Sequence, residues 1–345
     1  MKVAIVGGTG YGAVELIRFL ERHPNIKEIK IVSHSQAGKA FEEAYPHMTQ
    51  IVSQHMSALS IEELANEVEG VFFATPSSVS YKYVPALVDK GVFCIDLSGD
   101  FRLADPEQYE QWYGTKTAAK VDLAKAVYGL SELYHQQIKA TKLVANPGCY
   151  PTATLLALLP ALEHKVIKET GIIIDGKTGV SGAGRSMSLA VHFSEMNENT
   201  RAYNVCQHKH IPEIERYLSD RTNKEIQINF TPHIIPMTRG LMATIYADLQ
   251  ELITAEEIEQ LYRDYYQGHT FVRIRPIGQL PATKEVYGSN YCDIGLQVDR
   301  RTNKLIIVSV IDNLVKGAAG QAIQNMNILN GWDEQLGLND VPIYP

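Results

Sequence analysis

The sequence predicts an α/β chain in two parts. A Rossmann-type parallel sheet comes first, followed by a second α+β domain built on a mixed or antiparallel sheet. Three observations carry this reading. Short β-branched runs alternate with helical periodicity up to about residue 145, the pattern of a parallel sheet covered on both faces. A glycine-rich turn directly follows the first run. After Cys149 the runs lengthen and turn-rich connections replace the long helical ones.

In the first part, residues 3–6 read as a strand and GAVELIRFLERHP as the helix after it. Further strands are expected at residues 29–33, 71–74, 92–97 and 143–145. In the second part, strands are expected at residues 171–175, 227–230, 242–249, 271–274, 293–298 and 305–311, with RRTNK closing a hairpin between the last two. Helical periodicity returns at residues 316–329, and a terminal helix of this kind packs back on the first domain. The boundaries that follow are 1–147 plus 317–345 for a nucleotide-binding domain and 148–316 for a catalytic domain.

Composition narrows the chemistry. With 345 residues, 45% of them hydrophobic, the chain can bury a large core. A net charge of −7 argues against a nucleic-acid partner, which needs a basic face. Four widely spaced cysteines without a CxxC pair suit a reducing compartment rather than a disulfide framework. The apolar start MKVAIV is too short for a membrane span and lacks a cleavage pattern, so a soluble, cytoplasmic protein is expected.

VAIVGGTGYGAVEL places Gly7, Gly10 and Gly12, with Thr9 and Tyr11 between them, at a strand-to-helix turn. Gly7-x-x-Gly10-x-x-Ala13 has the spacing that brings backbone against a pyrophosphate at a helix N-terminus. A plain turn is the bland alternative. The second strand ends in Ser33, His34 and Ser35, followed by Lys39, where an NAD site would carry a carboxylate for the ribose. Hydroxyls and a cation accept a 2′-phosphate, so NADP is preferred, unless the loop is merely polar.

NPGCYPTATLLALLP sets Cys149 between a Pro-Gly turn and a long apolar run, where a helix should begin. First-turn N–H groups and the helix dipole favour a thiolate there. Beside a redox nucleotide, such a sulfur can attack an acyl phosphate and form a thioester for reduction to an aldehyde. His208 and His210 in NVCQHKHIPEIE are the candidate acid/base groups, and would share one side of an extended segment. Cys206 alternates with them, but zinc wants more ligands than this, so no metal is expected. A surface pair of histidines remains the alternative. Cys94, in VFCIDL, reads as core.

Three residues are candidates for the substrate: Arg102 in DLSGDFRL, Asn146 ahead of the cysteine, and Arg185 in KTGVSGAGRS. An Arg fork matches phosphate oxygens, although Arg102 could instead pair with Asp100 or Asp105. Ser181 and Gly182 in the same glycine-rich loop could approach an anion or the nicotinamide amide.

Together these stretches resemble the N-acetyl-γ-glutamyl-phosphate reductase family of arginine biosynthesis, related to aspartate-semialdehyde dehydrogenases. The resemblance rests on GGTGYGAVEL, DLSGDFRL, WYG, VYGLSEL, NPGCYPTA, GVSGAGR, HKHIPEI, TPHIIPMTRG and DNLVKGAAGQAIQNMN, in order along essentially the whole chain. It implies a semialdehyde-dehydrogenase-like fold, Cys149 as the thioester-forming nucleophile, and His210 as acid/base with His208 assisting. It also implies Arg102 for the phosphate, Asn313 near the cofactor, a small-molecule substrate and a homodimer or homotetramer. Gly12-Ala13 departs from the family, which more often has a small or hydroxyl residue followed by Gly. Rival readings are a reductase of a carrier-protein-bound aminoadipyl or glutamyl phosphate, an aspartate-semialdehyde dehydrogenase, a non-catalytic nucleotide-binding regulator and a thiol hydrolase.

Overall fold

A computed structural model describes residues 1–345. The first sheet has six strands: β1 (Lys2–Val6), β2 (Glu28–Val32), β3 (Gly70–Phe73), β4 (Phe93–Asp96), β5 (Val127–Tyr128) and β6 (Leu143–Ala145). They run in the order β2-β1-β3-β4-β6-β5, and every pair is parallel. The strand that a full dinucleotide fold carries outside β2 is reduced to a single parallel bridge, Val32 to Ser57. Strand order reverses at β1, so the crevice at the carboxyl ends of β1 and β3 is this sheet's ligand position.

The second sheet has seven strands: β7 (Ile172–Thr178), β8 (Arg201–Ala202), β9 (Ile228–Ile234), β10 (Leu241–Asp248), β11 (Val272–Ile274), β12 (Cys292–Asp299) and β13 (Lys304–Ile311). The order is β11-β12-β13-β10-β7-β9-β8. β7–β9 and β11–β12 are parallel and the rest antiparallel, so the sheet is mixed. Strict alternation of buried and partly exposed residues along β10 shows one fully covered and one partly covered face. The two-residue strands β5 and β8 are too short to leave a periodic signature, and the sequence reading lacks them.

Chain contacts divide the molecule into Met1–Pro147 with Ala318–Asn339, and Gly148–Gly317 with Asp340–Pro345. The last six residues therefore lie with the second unit, where the sequence reading carried the first unit to the end of the chain. Ile343 is the reason: its N–H donates to the Tyr287 carbonyl and its side chain packs on Gly288.

The stretch expected to be one helix from residue 316 begins with a π-turn at Val315–Ala319, and the α-helix spans Gly320–Leu329. Its buried face is amide-rich because it must meet main-chain groups. Gln321 Nε2 and Asn325 Nδ2 donate to the Gly129 carbonyl, and Asn327 Nδ2 donates to that of Leu336.

In the second unit the central element is the helix Cys149–Glu163, with Tyr150 to Leu162 buried without interruption. A helix buried all round has to satisfy its polar groups internally. Pro160 breaks that rule by removing the donor for Leu156 O. The Tyr266 hydroxyl donates to Leu156 O in its place, and the Tyr262 hydroxyl donates to Ala157 O at 2.6 Å. Both tyrosines are supplied by the neighbouring segment around the helix Ala255–Tyr265. Tyr266→Phe should lower the urea unfolding free energy by about 1–2 kcal/mol, because a buried carbonyl loses its donor. Tyr265→Phe, whose hydroxyl reaches the partly exposed Glu163, should cost less.

Candidate active site

Cys149 is the first residue of its helix, and Gly148 is the N-cap, with no side-chain cap. The first-turn N–H groups of this helix start lie at the half-buried cysteine, and Gly148 offers them no side-chain cap of its own. The N–H of Gly148 donates to Glu213 Oε1 at 2.9 Å, and Glu213 is fully buried. A side chain at 148 would collide with Nε2 of His210, so glycine here lets the imidazole lie against the chain leading into the nucleophile.

His208 and His210 are both buried, with ring centroids 4.7 Å apart. They meet through a turn, not the extended segment the sequence suggested. The main-chain N–H of His210, at the start of the helix His210–Thr222, donates to His208 Nδ1 at 3.1 Å. His208 Nδ1 is thus an acceptor and the ring neutral. Burial, with Lys209 adding to it, pushes its pKa from the ordinary 6.5 to about 4. Tyr150, Tyr203 and Phe230 box it edge-on. Burial pushes both the Tyr150 and Tyr203 hydroxyls up, Tyr203 and then Cys149 raising Tyr150 further and Cys149 raising Tyr203. Cys206 is exposed and in the left-handed region, apart from the buried histidines. No three His, Cys, Asp or Glu side chains converge in metal-binding geometry.

The loop after β7 is laced to the segment before β10. Gly179 N–H donates to Gly240 O at 2.9 Å, Val180 to Met237 O at 2.9 Å, and Ser181 to Thr238 O at 3.1 Å. Asn313 clamps both: Oδ1 accepts from Gly240 N–H at 2.7 Å and Nδ2 donates to Ser181 Oγ at 3.0 Å. Arg185, just beyond the loop, is exposed. Arg239 is ion-paired to the fully buried Asp312 at 3.1 Å.

In the first unit, Gly7 sits at φ +89°, and a Cβ there would lie 2.5 Å from Ala74 O. Gly8 is equally constrained, because a side chain would strike Ile31. These two glycines serve close packing of β1 against its neighbours. Gly10 caps the helix Tyr11–Leu20 without a side-chain bond, and the Cβ position of Gly12 has nothing within 4 Å. The Thr9 carbonyl is held by the Tyr45 hydroxyl. Ser33 is buried, its Oγ accepting from Gln36 N–H, whereas Ser35 and Lys39 are exposed. Next to Gly7, the Oγ1 of Thr75 is buried without a hydrogen-bond partner. Open space at Gly12, an uncapped helix start and that hydroxyl fit the pyrophosphate and ribose of a dinucleotide.

Arg102 is only 5% exposed. Its Nε donates to Asn146 O at 2.8 Å and its Nη2 to Leu97 O at 3.1 Å. Asp105 caps its own helix, accepting from Glu107 N–H. Asp100 accepts from Ser78, Ser80 and Tyr109. Burial, with Asp100 nearby, raises the Asp96 carboxyl to about 6. Asn146 is fully buried, donating to Ala318 O and accepting from Asn325 Nδ2.

Sequence reasoning did not single out Glu213, Tyr150, Tyr203, Thr75 or Gly8. Glu213 had one available signal, its place one helical turn after His210.

Two family models match the two parts: "Semialdehyde dehydrogenase, NAD binding domain" over residues 2–141, and "Semialdehyde dehydrogenase, dimerisation domain" over residues 149–313. The fold agrees with aspartate semialdehyde dehydrogenase II of Vibrio cholerae, at 19% identity and TM-score 0.72 over 96% of this chain and 98% of that one. It also agrees with the Candida albicans aspartate semialdehyde dehydrogenase, at 16% identity and TM-score 0.66 over 95% and 98%. The class is therefore that of the semialdehyde dehydrogenases, which work with a nicotinamide cofactor. Proteins named N-acetyl-gamma-glutamyl-phosphate reductase match over all of this chain, at 52% identity in Oceanobacillus iheyensis (99% of that protein) and 50% in Bacillus subtilis (all of it). The chain belongs to the N-acetyl-gamma-glutamyl-phosphate reductase family. No helix is long and apolar enough to cross a membrane.

Because His208 is neutral when folded and protonatable when unfolded, the unfolded chain binds more protons between its two pKa values. Stability should fall as pH drops from about 6.5 to about 4. His208→Asn, which keeps an acceptor for His210 N–H, should flatten that slope in urea titrations across the range.

Proposed function

We propose that this chain reduces N-acetyl-γ-glutamyl phosphate to N-acetylglutamate γ-semialdehyde with release of phosphate, a step of arginine biosynthesis. The observation that carries the reading is Cys149 at the uncapped start of a buried helix beside His210, in a chain about half identical to reductases of that name over their full length. The helix N-terminus holds the Cys149 sulfur as thiolate, which attacks the γ-acyl carbon. The C–O bond to phosphate breaks, phosphate departs with the bonding pair, and a thioester remains. When bound, the cofactor supplies the hydride that brings this thioester to the aldehyde level. His210 donates a proton to the developing oxyanion and removes it as the carbon–sulfur bond breaks to release the aldehyde. His208, neutral and walled by aromatic rings, orients His210.

The residues that would hold the cofactor are Gly7, Thr9, Gly10, Tyr11 and Gly12 at the pyrophosphate. Ser181 and Gly182 are assigned to the nicotinamide end, and Asn313 acts by holding their loop. NADP is the assigned cofactor, because Ser33, Ser35 and Lys39 at the end of β2 supply hydroxyls and a cation instead of a carboxylate. Arg102 is assigned to the phosphate, with Asn146 fixing its guanidinium through its carbonyl, and Arg185 is a further substrate contact. A homo-oligomer is the assembly this reading includes, supported by the partly exposed face of β10 and by the matched domain's description. None of the four cysteines is in a disulfide, which fits a reducing, cytoplasmic setting.

The test runs the reaction backwards, supplying the acetylated semialdehyde, phosphate and NADP and following reduced nicotinamide by absorbance. Phosphate-dependent turnover supports the reading; turnover of aspartate semialdehyde or a carrier-bound substrate instead would keep the chemistry and overturn the substrate. Cys149→Ser should lower kcat by more than about 1,000-fold while leaving the cofactor Kd unchanged. Arg102→Lys keeps the buried charge but loses the fork. It should raise KM for phosphate by about tenfold and leave KM for NADP within about twofold.

A further inference from the structure

The turn Val315–Ala319 is a π-helical turn, one residue wider than an α-turn, and such turns concentrate at functional sites. It is held from below by Asp312. The Asp312 carboxylate accepts from the N–H groups of Leu314 at 2.9 Å, Val315 at 3.2 Å and Gly288 at 2.8 Å, and pairs with Arg239. Its carbonyl accepts from Gly317 N–H at 3.0 Å. The result brings Gly317 against the nucleophile. A Cβ at Gly317 would stand 2.7 Å from Cys149 Cβ, 3.3 Å from Cys149 Cα and 3.3 Å from Ile311 Cδ1.

Gly317 lies outside the left-handed region, so space rather than backbone conformation demands glycine. The atoms in the way are Cα and Cβ of the nucleophile itself, which cannot swing aside as the end of a long side chain could. On the other flank, His210 occupies the Cβ position of Gly148. Cys149 thus begins between two glycines whose missing side chains set where its sulfur stands.

We propose that Gly317 is a positioning residue for the reaction, fixing the Cys149 sulfur relative to the helix N-terminus and to His210. This rests on Cys149 being the nucleophile. Gly317→Ala would push Cys149 by several tenths of an ångström or more. A displacement of about 1 Å at a reacting centre lowers turnover by as much as about 100-fold.

The experiment compares wild type, Gly317→Ala and Cys149→Ser in kcat and in cofactor Kd by fluorescence titration. Wild type and Gly317→Ala are also compared in the pH profile of iodoacetamide alkylation at Cys149, read on the Cys149 peptide by mass spectrometry. Gly317→Ala should lower kcat by about 10- to 100-fold at unchanged cofactor Kd. It should also raise the alkylation midpoint by about one pH unit, as the sulfur leaves the helix N-terminus. A folded Gly317→Ala with wild-type kcat and alkylation midpoint overturns the proposal, while the mechanism stands if Cys149→Ser is inactive. An active Cys149→Ser overturns the mechanism itself. If Gly317→Ala does not fold, Asp312→Asn loosens the same turn without adding an atom, and an unchanged alkylation midpoint there overturns the proposal.

Discussion

The second unit depends on one constraint: a fifteen-residue helix buried along nearly its whole length starts at a glycine that supplies no side-chain cap. Elsewhere along it, polar groups are satisfied by close neighbours. Thr152 and Thr154 hydroxyls donate back to Gly148 and Tyr150 carbonyls. Tyrosine hydroxyls cover the carbonyls that Pro160 disturbs. At the start the N-cap is a glycine with no side chain to cap the first turn, and there the chain puts a cysteine. Burial then amplifies the effect, because the dipole of a helix end is least screened where water is scarce.

The surroundings follow from keeping that start accessible yet rigid. Glycines at 148 and 317 clear space on its two sides, and the groups that fill the space are an imidazole and a braced turn. Glu213 ties Gly148 to the helix that carries His210, so the thiol and imidazole share one framework. Asp312 and Asn313, adjacent in sequence, brace the π-turn and the Ser181 loop respectively. Rigidity of this kind favours chemistry that demands a fixed attack distance.

The first unit shows the same economy with backbone. Its tightest glycines, Gly7 and Gly8, serve packing between strands, while open space lies at Gly12, just after the uncapped helix start at Gly10. Around Arg102, main-chain carbonyls rather than carboxylates take two of the guanidinium's nitrogens. Asp96 and Asp100 draw their hydrogen bonds from hydroxyls and main-chain N–H groups, as buried carboxylates must.

Much of this was legible in the sequence because it rests on local rules. β-branched runs marked the long strands, Gly148-Cys149 marked a helix start, and the glycine spacing after β1 marked a dinucleotide turn. Tertiary structure decided what depends on residues far apart in the chain. The π-turn before the return helix arises from Asp312 and from the approach to Cys149, and no periodicity encodes either. The placement of His208 as a neutral wall follows from burial among Tyr150, Tyr203 and Phe230, which come from three separate segments. The tail went to the second unit, where Ile343 N–H meets the Tyr287 carbonyl and its side chain packs on Gly288. Sequence by itself determined which residues could be reactive; packing decided how each is held, since orientation and desolvation come from neighbours that local pattern does not specify.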